Sequence, residues 1–278
     1  MLECKYINSI GEEFVFNVDN NRINKSDVRD YEWNYIEQYE KIKLFTKDLS
    51  TRTIPVFFFN RSQYMYHNEL YYKAEDLYEI IDRDVRTLSQ GKLYVGDYFV
   101  NCYVVGSSKA EYDNGVIISE NLTFLSDWNW RKDITRLFGG SSAFQPTSQE
   151  RDFPYDYRWD YVLGASQQRF VTNAIAPFDF KIDFQGPVEN PTLIVQNQIY
   201  RVYTSLEVGE YLTVDSVEKT IIKTKQNGDT VNEFNYRDRE NYIFEKMPVR
   251  NGSSLVIWQE GKLVSLTAYL ERSEPKWI

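Results

Sequence analysis

Histidine and cysteine are scarce in this chain, and their scarcity excludes several kinds of catalytic and metal site. Among 278 residues there are one histidine, His67, and two cysteines, Cys4 and Cys102. A His-rich zinc site needs more ligands than these, and a Ser-His-Asp or Cys-His centre would have to include His67. No nucleophile-elbow glycines surround His67. We therefore expect no catalytic residue, no metal and no cofactor, and we expect both cysteines to be small buried hydrophobes in strands.

Glycine-rich phosphate-binding motifs and long apolar runs are also missing. Neither G-x-x-x-x-G-K-[ST] nor G-x-G-x-x-G occurs in the sequence. The longest apolar block, Pro55–Phe59, has the length of a strand and is far shorter than a membrane span. The first residues show no basic segment followed by an apolar core. We therefore expect no signal peptide, no membrane insertion and synthesis in the cytoplasm.

Basic residues are outnumbered, whereas aromatic residues are abundant. The chain has 32 Lys and Arg against 41 Asp and Glu, for a net charge of −9, which argues against a general nucleic-acid binder. Phe, Trp and Tyr make up 16% of the residues, too many for a disordered protein. Exposed aromatic rings stack on sugars or form protein interfaces, and composition does not separate these uses. Asp156 and Asp160 could suggest a glycosidase cleft, but domain packing is the favoured interpretation of their aromatic segment, Phe153–Tyr161.

One segment, Ala74–Ser89, has the periodicity of a helix. Apolar residues recur in it at three- and four-residue spacing, and Gly91 follows as a candidate stop. The predicted buried stripe is Leu77, Ile80, Ile81, Val85 and Leu88. The predicted solvent-facing side is Glu79, Asp82, Arg83, Asp84 and Arg86.

The rest of the chain is typical of short antiparallel strands. Phe178–Phe184 alternates apolar and polar residues, as a half-buried strand does. Asn227-Gly228 predicts one hairpin, and Glu260-Gly261 predicts a second between Leu255–Gln259 and Lys262–Leu270. This pattern indicates a mainly β protein of two antiparallel sandwich domains, the first with a single packed helix. A small, polar stretch from Gly139 to Ser148 is the best linker, and it divides the chain into 1–150 and 151–278.

The second half carries a resemblance to a known family. Its motifs are Phe178-Asp-Phe-Lys-Ile-Asp-Phe-Gln-Gly186, Glu189-Asn-Pro191, Leu206-Glu-Val-Gly-Glu-Tyr-Leu-Thr-Val-Asp215, Lys219-Thr-Ile221, Asn227-Gly-Asp229, Phe244, Asn251-Gly-Ser-Ser-Leu-Val-Ile257 and Glu271-Arg-Ser-Glu-Pro-Lys-Trp277. Together these motifs resemble the C-terminal domain of the distal tail protein (Dit) family of siphophages. The first half agrees through its helix between strands, and Phe153-Pro-Tyr-Asp-Tyr157 resembles the family's entry into its second domain.

The resemblance implies a structural protein of a bacteriophage tail tip and no enzyme. The family's N-terminal domain forms a homo-hexameric ring, and its C-terminal domain is a galectin-like, jelly-roll sandwich that projects outward. The ring joins the tail-tube protein to the tail-tip hub and serves as the baseplate platform for receptor-binding proteins during host attachment. DNA passes through such a ring without specific binding, which suits an acidic chain.

The resemblance supplies no catalytic residues, and its interfaces are spread over strands. Phe14 and Phe16 near the start, and Trp128 and Trp130 at the end of the first domain, are the candidate ring or hub contacts, with ordinary core packing as the alternative for each. The competing hypothesis for the whole chain is a carbohydrate-binding module that contacts host cell-wall polysaccharide directly.

Overall fold

The computed structural model describes residues 3–16, 21–24, 27–59, 68–112, 117–139 and 165–276. Their fold class is mainly β with one α-helix, as predicted. The chain forms two compact units. Unit 1 holds the described residues up to Lys132 together with those from Glu271 onward, and unit 2 holds those of Asp133–Leu270. His67, the segment Phe153–Tyr161 and the predicted boundary at 150/151 lie outside the described residues, so that boundary stays a prediction.

Unit 1 contains the helix and the strands from the first half of the chain. The elements are β1 (Cys4–Ile7), β2 (Glu13–Phe16), β3 (Asn21–Ile23), β4 (Asn34–Gln38), β5 (Lys41–Thr46), β6 (Ser50–Phe59), α1 (Asn68–Thr87), β7 (Gly91–Val95), β8 (Tyr98–Tyr112), β9 (Ile117–Ser126) and the first residues of β10 (Trp130–Phe138). A short 3-10 helix covers Asp27–Arg29.

The long strand β8 belongs to two antiparallel sheets of unit 1. Its first residues pair with β7, which continues to β1 and β2. Its later residues pair with β9, which continues to β6 and β3. A bulge between Val104 and Gly106 separates the two pairings, and such a bulge bends and twists a strand. Buried side chains of both sheets and of α1 form a single core cluster.

Unit 2 is built of strands that form two larger antiparallel sheets. The strands are β11 (Ala165–Val171), β12 (Asp179–Gln185), β13 (Val188–Glu189), β14 (Thr192–Val195), β15 (Gln198–Arg201), β16 (Ser205–Leu206), β17 (Tyr211–Asp215), β18 (Thr220–Thr224), β19 (Thr230–Asn232), β20 (Ser253–Gln259) and β21 (Val264–Arg272). One sheet has the order β19-β18-β17-β12-β21-β10, to which β10 contributes its residues from Asp133 onward, and the other has the order β11-β20-β14-β15.

The core of unit 2 draws on both of its larger sheets. Phe180, Ile182 and Phe184 of β12 are buried, as their alternation predicts. The Phe180 ring meets the ring of Tyr200 on β15 edge to face, with centroids 4.9 Å apart. This arrangement is compatible with the predicted sandwich, and the galectin-like topology stays a prediction.

One of the two predicted hairpins of unit 2 is confirmed and the other is wrong. β18 and β19 pair on either side of Asn227-Gly228. β20 and β21 flank Glu260-Gly261, but they do not pair with each other. β20 pairs with β11 and β14, whereas β21 pairs with β12. The turn at Gly261 therefore connects two sheets, because the strand after it finds its partner in the opposite layer.

The helix differs from its prediction in its bounds and in part of its buried face. α1 covers Asn68–Thr87 instead of Ala74–Ser89. Leu77 and Ile81 are buried as predicted, whereas Val85 and Leu88 are exposed. Asp84, predicted to face solvent, is completely buried because the hydroxyl of Tyr6 on β1 donates to it at 2.6 Å.

Candidate assembly surface

The four predicted contact residues all lie in the core of unit 1. Phe14 is 9% exposed, and Phe16, Trp128 and Trp130 are more deeply buried. The Phe14 ring meets the ring of Phe16 edge to face, with centroids 5.2 Å apart. The structure thus gives each residue the core packing weighed above as the alternative. A direct contact of any of the four with a partner stays a prediction.

An exposed hairpin, β4–β5, is the feature of unit 1 that sequence reasoning missed. Its two strands pair only with each other among the described strands. Tyr35 lies opposite Phe45 on one face, and Ile36 lies opposite Leu44 on the other. All four side chains are more than half exposed. The hairpin therefore presents apolar surface on both faces, whereas an ordinary surface ribbon buries one face against its own core.

The turn of this hairpin places a further aromatic side chain in solvent. Tyr39 and Glu40 have φ values of 53° and 58°. Both central residues of a two-residue type I′ turn take positive φ, a conformation that favours Asn and Gly. Tyr39 is 87% exposed. A bulky residue is unfavourable at such a position, and the Tyr39 ring adds to the exposed apolar surface of the hairpin.

The base of the hairpin is fixed to the body of unit 1 through Trp33 and Lys47. The Trp33 ring meets Phe45 edge to face, and its indole N–H donates to the hydroxyl of Ser273 at 3.1 Å. The Lys47 ammonium lies over the Trp33 ring and donates to the carbonyl of Trp128 at 2.9 Å. Burial lowers the pKa of Lys47. Trp128 thus supports the base of the hairpin from within the core.

A polar groove of about 290 Å³ lies beside the base of the hairpin. The guanidinium of Arg52 covers the Trp128 ring there, 4.1 Å from the centroid. Burial lowers the pKa of Arg52. The ionisable residues that line the groove are Asp30, Tyr31, Glu32, Lys47, Asp48, Arg52 and Asp127.

In the part of the chain that the structure describes, no three His, Cys, Asp or Glu side chains are grouped to hold a metal ion. The described segments also contain no helix that is long and apolar enough to cross a membrane. The sequence signal of the hairpin was weak, since Tyr31–Lys43 combines apolar and charged residues without a recognisable turn pair.

No family model and no curated protein matches this sequence. The structure does match solved structures along its whole length. It superposes on the crystal structure of the SPP1 Dit protein with a TM-score of 0.58 and 8% identity, covering 98% of this chain and 99% of that chain. This chain has the fold of the SPP1 Dit protein.

The Dit fold found here confirms the resemblance stated from the sequence. SPP1 Dit is described as a paradigm of the hub adsorption apparatus in phages that infect Gram-positive bacteria. A second match is the structure of the phage P2 baseplate in its activated conformation with calcium. There the TM-score is 0.50 with 11% identity, covering 99% of this chain and 100% of that chain.

Proposed function

We propose that this chain is a distal tail protein, a structural component of a siphophage tail tip and baseplate. The observation that carries the proposal is the match to SPP1 Dit over 98% of the chain. Because the two sequences are only 8% identical, the match supports a shared fold. The role in the virion is our inference from that fold. The role is structural and requires no catalysis.

In this proposal the chain assembles with five further copies into a ring, and residues 1–150 form it. One side of the ring meets the tail-tube protein and the other meets the tail-tip hub. Residues 151–278 project outward as the platform for receptor-binding proteins. DNA passes through the ring, and the net charge of −9 per chain supports this because an acidic surface does not retain phosphate.

The β4–β5 hairpin is the contact that we assign to the neighbouring copy in the ring. Its apolar side chains lie on both faces, and single soluble chains rarely expose such a surface. In a closed ring, each copy presents the same projection to the next copy, so every hairpin is covered. Trp128 has an indirect role in this proposal, because its carbonyl holds Lys47 at the base of the hairpin.

The oligomeric state of the purified full chain tests the proposal. Size-exclusion chromatography with light scattering should give a particle of about 200 kDa, six times the 33.0 kDa chain, and electron microscopy should show rings. Replacing Tyr35 and Phe45 together by serine should dissociate the ring, because buried aromatic anchors contribute about 2 kcal/mol or more each to an interface.

The control uses two apolar residues of unit 2 that are even more exposed than Tyr35 and Phe45. Ile175→Ser and Val208→Ser together should leave the ring intact. A wild-type chain that stays monomeric at micromolar concentration would contradict the ring. A ring that survives Tyr35→Ser with Phe45→Ser would remove the hairpin from its interface.

A further inference from the structure

A pocket in unit 2 combines aromatic rings, cations and carboxylates within one short segment. It has a volume of about 560 Å³, within the ~300–1,000 Å³ typical of ligand sites. Its wall is formed by Lys219 and by residues between Phe234 and Phe244. None of these residues contributes to the assembly surface proposed above.

Three aromatic rings form the apolar wall of this pocket. Phe234 and Phe244 are stacked with centroids 5.9 Å apart and an interplanar angle of 18°. Tyr242 meets Phe244 edge to face with centroids 6.0 Å apart. Phe244 is buried, whereas Tyr242 is 59% exposed. Phe244 thus supports Tyr242, whose ring lines the pocket and remains open to solvent.

The cations of the pocket differ in how far they are already engaged. The Arg237 guanidinium covers Phe234 at 4.1 Å and donates to the Phe234 carbonyl at 2.9 Å. Lys219 has a φ of 55°, and its ammonium donates to the Phe244 carbonyl at 3.4 Å. Arg239 is exposed and makes no hydrogen bond or ion pair with any residue in the described segments. Its five N–H donors are available for a carboxylate or a phosphate.

The acceptors of the pocket are arranged around Asp238, which is buried. Asp238 accepts hydrogen bonds from the Glu240 backbone N–H at 2.9 Å and from the Asn241 side chain at 3.0 Å. Although burial opposes the shift, these bonds and the nearby Arg201 lower the pKa of Asp238. Asp238 thus holds the loop in shape. Glu240 and Asn241 line the pocket, and their side-chain oxygens are of the kind that accept hydrogen bonds from hydroxyl groups.

We propose that this pocket binds a sugar unit that carries an anionic group, within a cell-surface polysaccharide. The apolar face of the sugar ring packs on Tyr242 and its hydroxyls donate to Glu240 and Asn241. Its carboxylate or phosphate accepts from Arg239. A single-stranded nucleic acid has similar chemistry but favours a strongly basic groove, and this pocket contains acidic side chains in a chain of net charge −9. The proposal goes beyond the tail-tip role and does not depend on it.

Titration of the full chain with matched oligosaccharides, followed by calorimetry, tests this site. Hexagalacturonate and its uncharged methyl ester probe a carboxylate, and phosphorylated and dephosphorylated pentamannose probe a phosphate. We expect at least one acidic form to bind more tightly than its neutral counterpart. Tyr242→Ala and Arg239→Gln should each weaken that binding about tenfold.

Tyr236 provides the matched control, because it is 57% exposed in the same segment but does not line the pocket. Tyr236→Ala should change the affinity less than twofold. The proposal is overturned if neither acidic oligosaccharide binds, if neutral forms bind equally well, or if oligothymidylate binds more tightly than both. An equal loss in Tyr236→Ala and Tyr242→Ala would also overturn it. The particle mass of the same samples reports separately on the ring.

Discussion

Gly91 begins β7 next to a buried hydrogen bond, and this close approach explains why the position holds glycine. A Cβ atom at this position would overlap both the Tyr6 hydroxyl and the Asp84 carboxylate. Asp84 also accepts from the backbone N–H of Ser9 at 2.8 Å. The sequence suggests Gly91 as a left-handed helix stop. In the structure, its lack of a side chain instead leaves room for the Tyr6 hydroxyl and the Asp84 carboxylate.

The Tyr6 hydroxyl is one of two donors to the buried Asp84 carboxylate, so Tyr6→Phe should destabilise unit 1. Removal of one donor from a buried charged acceptor costs about 1.5–3 kcal/mol. Urea unfolding of the full chain should show this loss in the free energy of unfolding. Tyr103→Phe is the control, because the Tyr103 hydroxyl donates to the Leu88 carbonyl at an exposed site. Equal stability of the two variants would contradict the importance of the buried pair.

At the scale of the element, the end of α1 is a Schellman motif with leucine where glycine is usual. The Ser89 N–H donates to the Asp84 carbonyl at 3.0 Å, and the Leu88 N–H donates to the Val85 carbonyl at 3.3 Å. Leu88 has a φ of 53° and is 84% exposed. Its side chain therefore adds little core packing to offset the left-handed conformation.

Leu88→Gly should therefore stabilise the protein. The left-handed conformation costs a non-glycine residue about 1–2 kcal/mol, and glycine avoids this cost. Glycine also loses more chain entropy on folding, which offsets about 0.5–1 kcal/mol of the gain. We expect a net gain of about 0.5–1 kcal/mol in the free energy of unfolding. Leu88→Ala is the control, since it removes the exposed side chain and keeps the unfavourable φ. A gain of the same size in the alanine variant would show that exposure, and not backbone strain, is the cause.

At the scale of the whole molecule, carboxylates in both units have lowered pKa values. In unit 1, a hydrogen bond from Arg83 and one from Asn8 lower the pKa of Glu12. In unit 2, the Glu207 backbone N–H and then Lys223 lower the pKa of Glu210. Each group favours the folded state while it is ionised. The stability that each group contributes is fully present above 4.5, the ordinary pKa of a glutamate. It is lost as the pH falls through the lower pKa of the folded state.

Acid should therefore destabilise both units, and the glutamine variants should reduce the effect. We expect Glu12→Gln and Glu210→Gln each to lower the thermal unfolding midpoint near pH 6. In each variant the midpoint should then fall less between pH 6 and pH 3.5 than it does in the unsubstituted chain. The measurement is calorimetry at fixed protein concentration, because assembly also shifts the midpoint. The unsubstituted chain, measured in the same buffers, is the reference. An unchanged pH dependence in both test variants would contradict the assignment.

Local patterns in the sequence determined the elements whose evidence is local. The alternation of Phe180, Ile182 and Phe184 predicted a strand with one buried face, and Asn227-Gly228 predicted the pairing of β18 with β19. The spacing of Leu77 and Ile81 predicted the buried side of α1. Such features depend on residues within a few positions of one another, so their periodicity is readable without tertiary contacts.

Only the tertiary structure decided which strands pair and which polar groups are buried. The turn at Glu260-Gly261 has the same sequence signal whether its strands pair or enter different sheets. Asp84 is buried against Tyr6, a donor that is 78 residues away in the sequence, so no local pattern reveals the contact. The β4–β5 hairpin and the pocket around Tyr242 were likewise unpredicted. An apolar hairpin stays exposed only if no other part of the chain packs on it, and a loop forms a pocket only if its side chains come together in the folded chain.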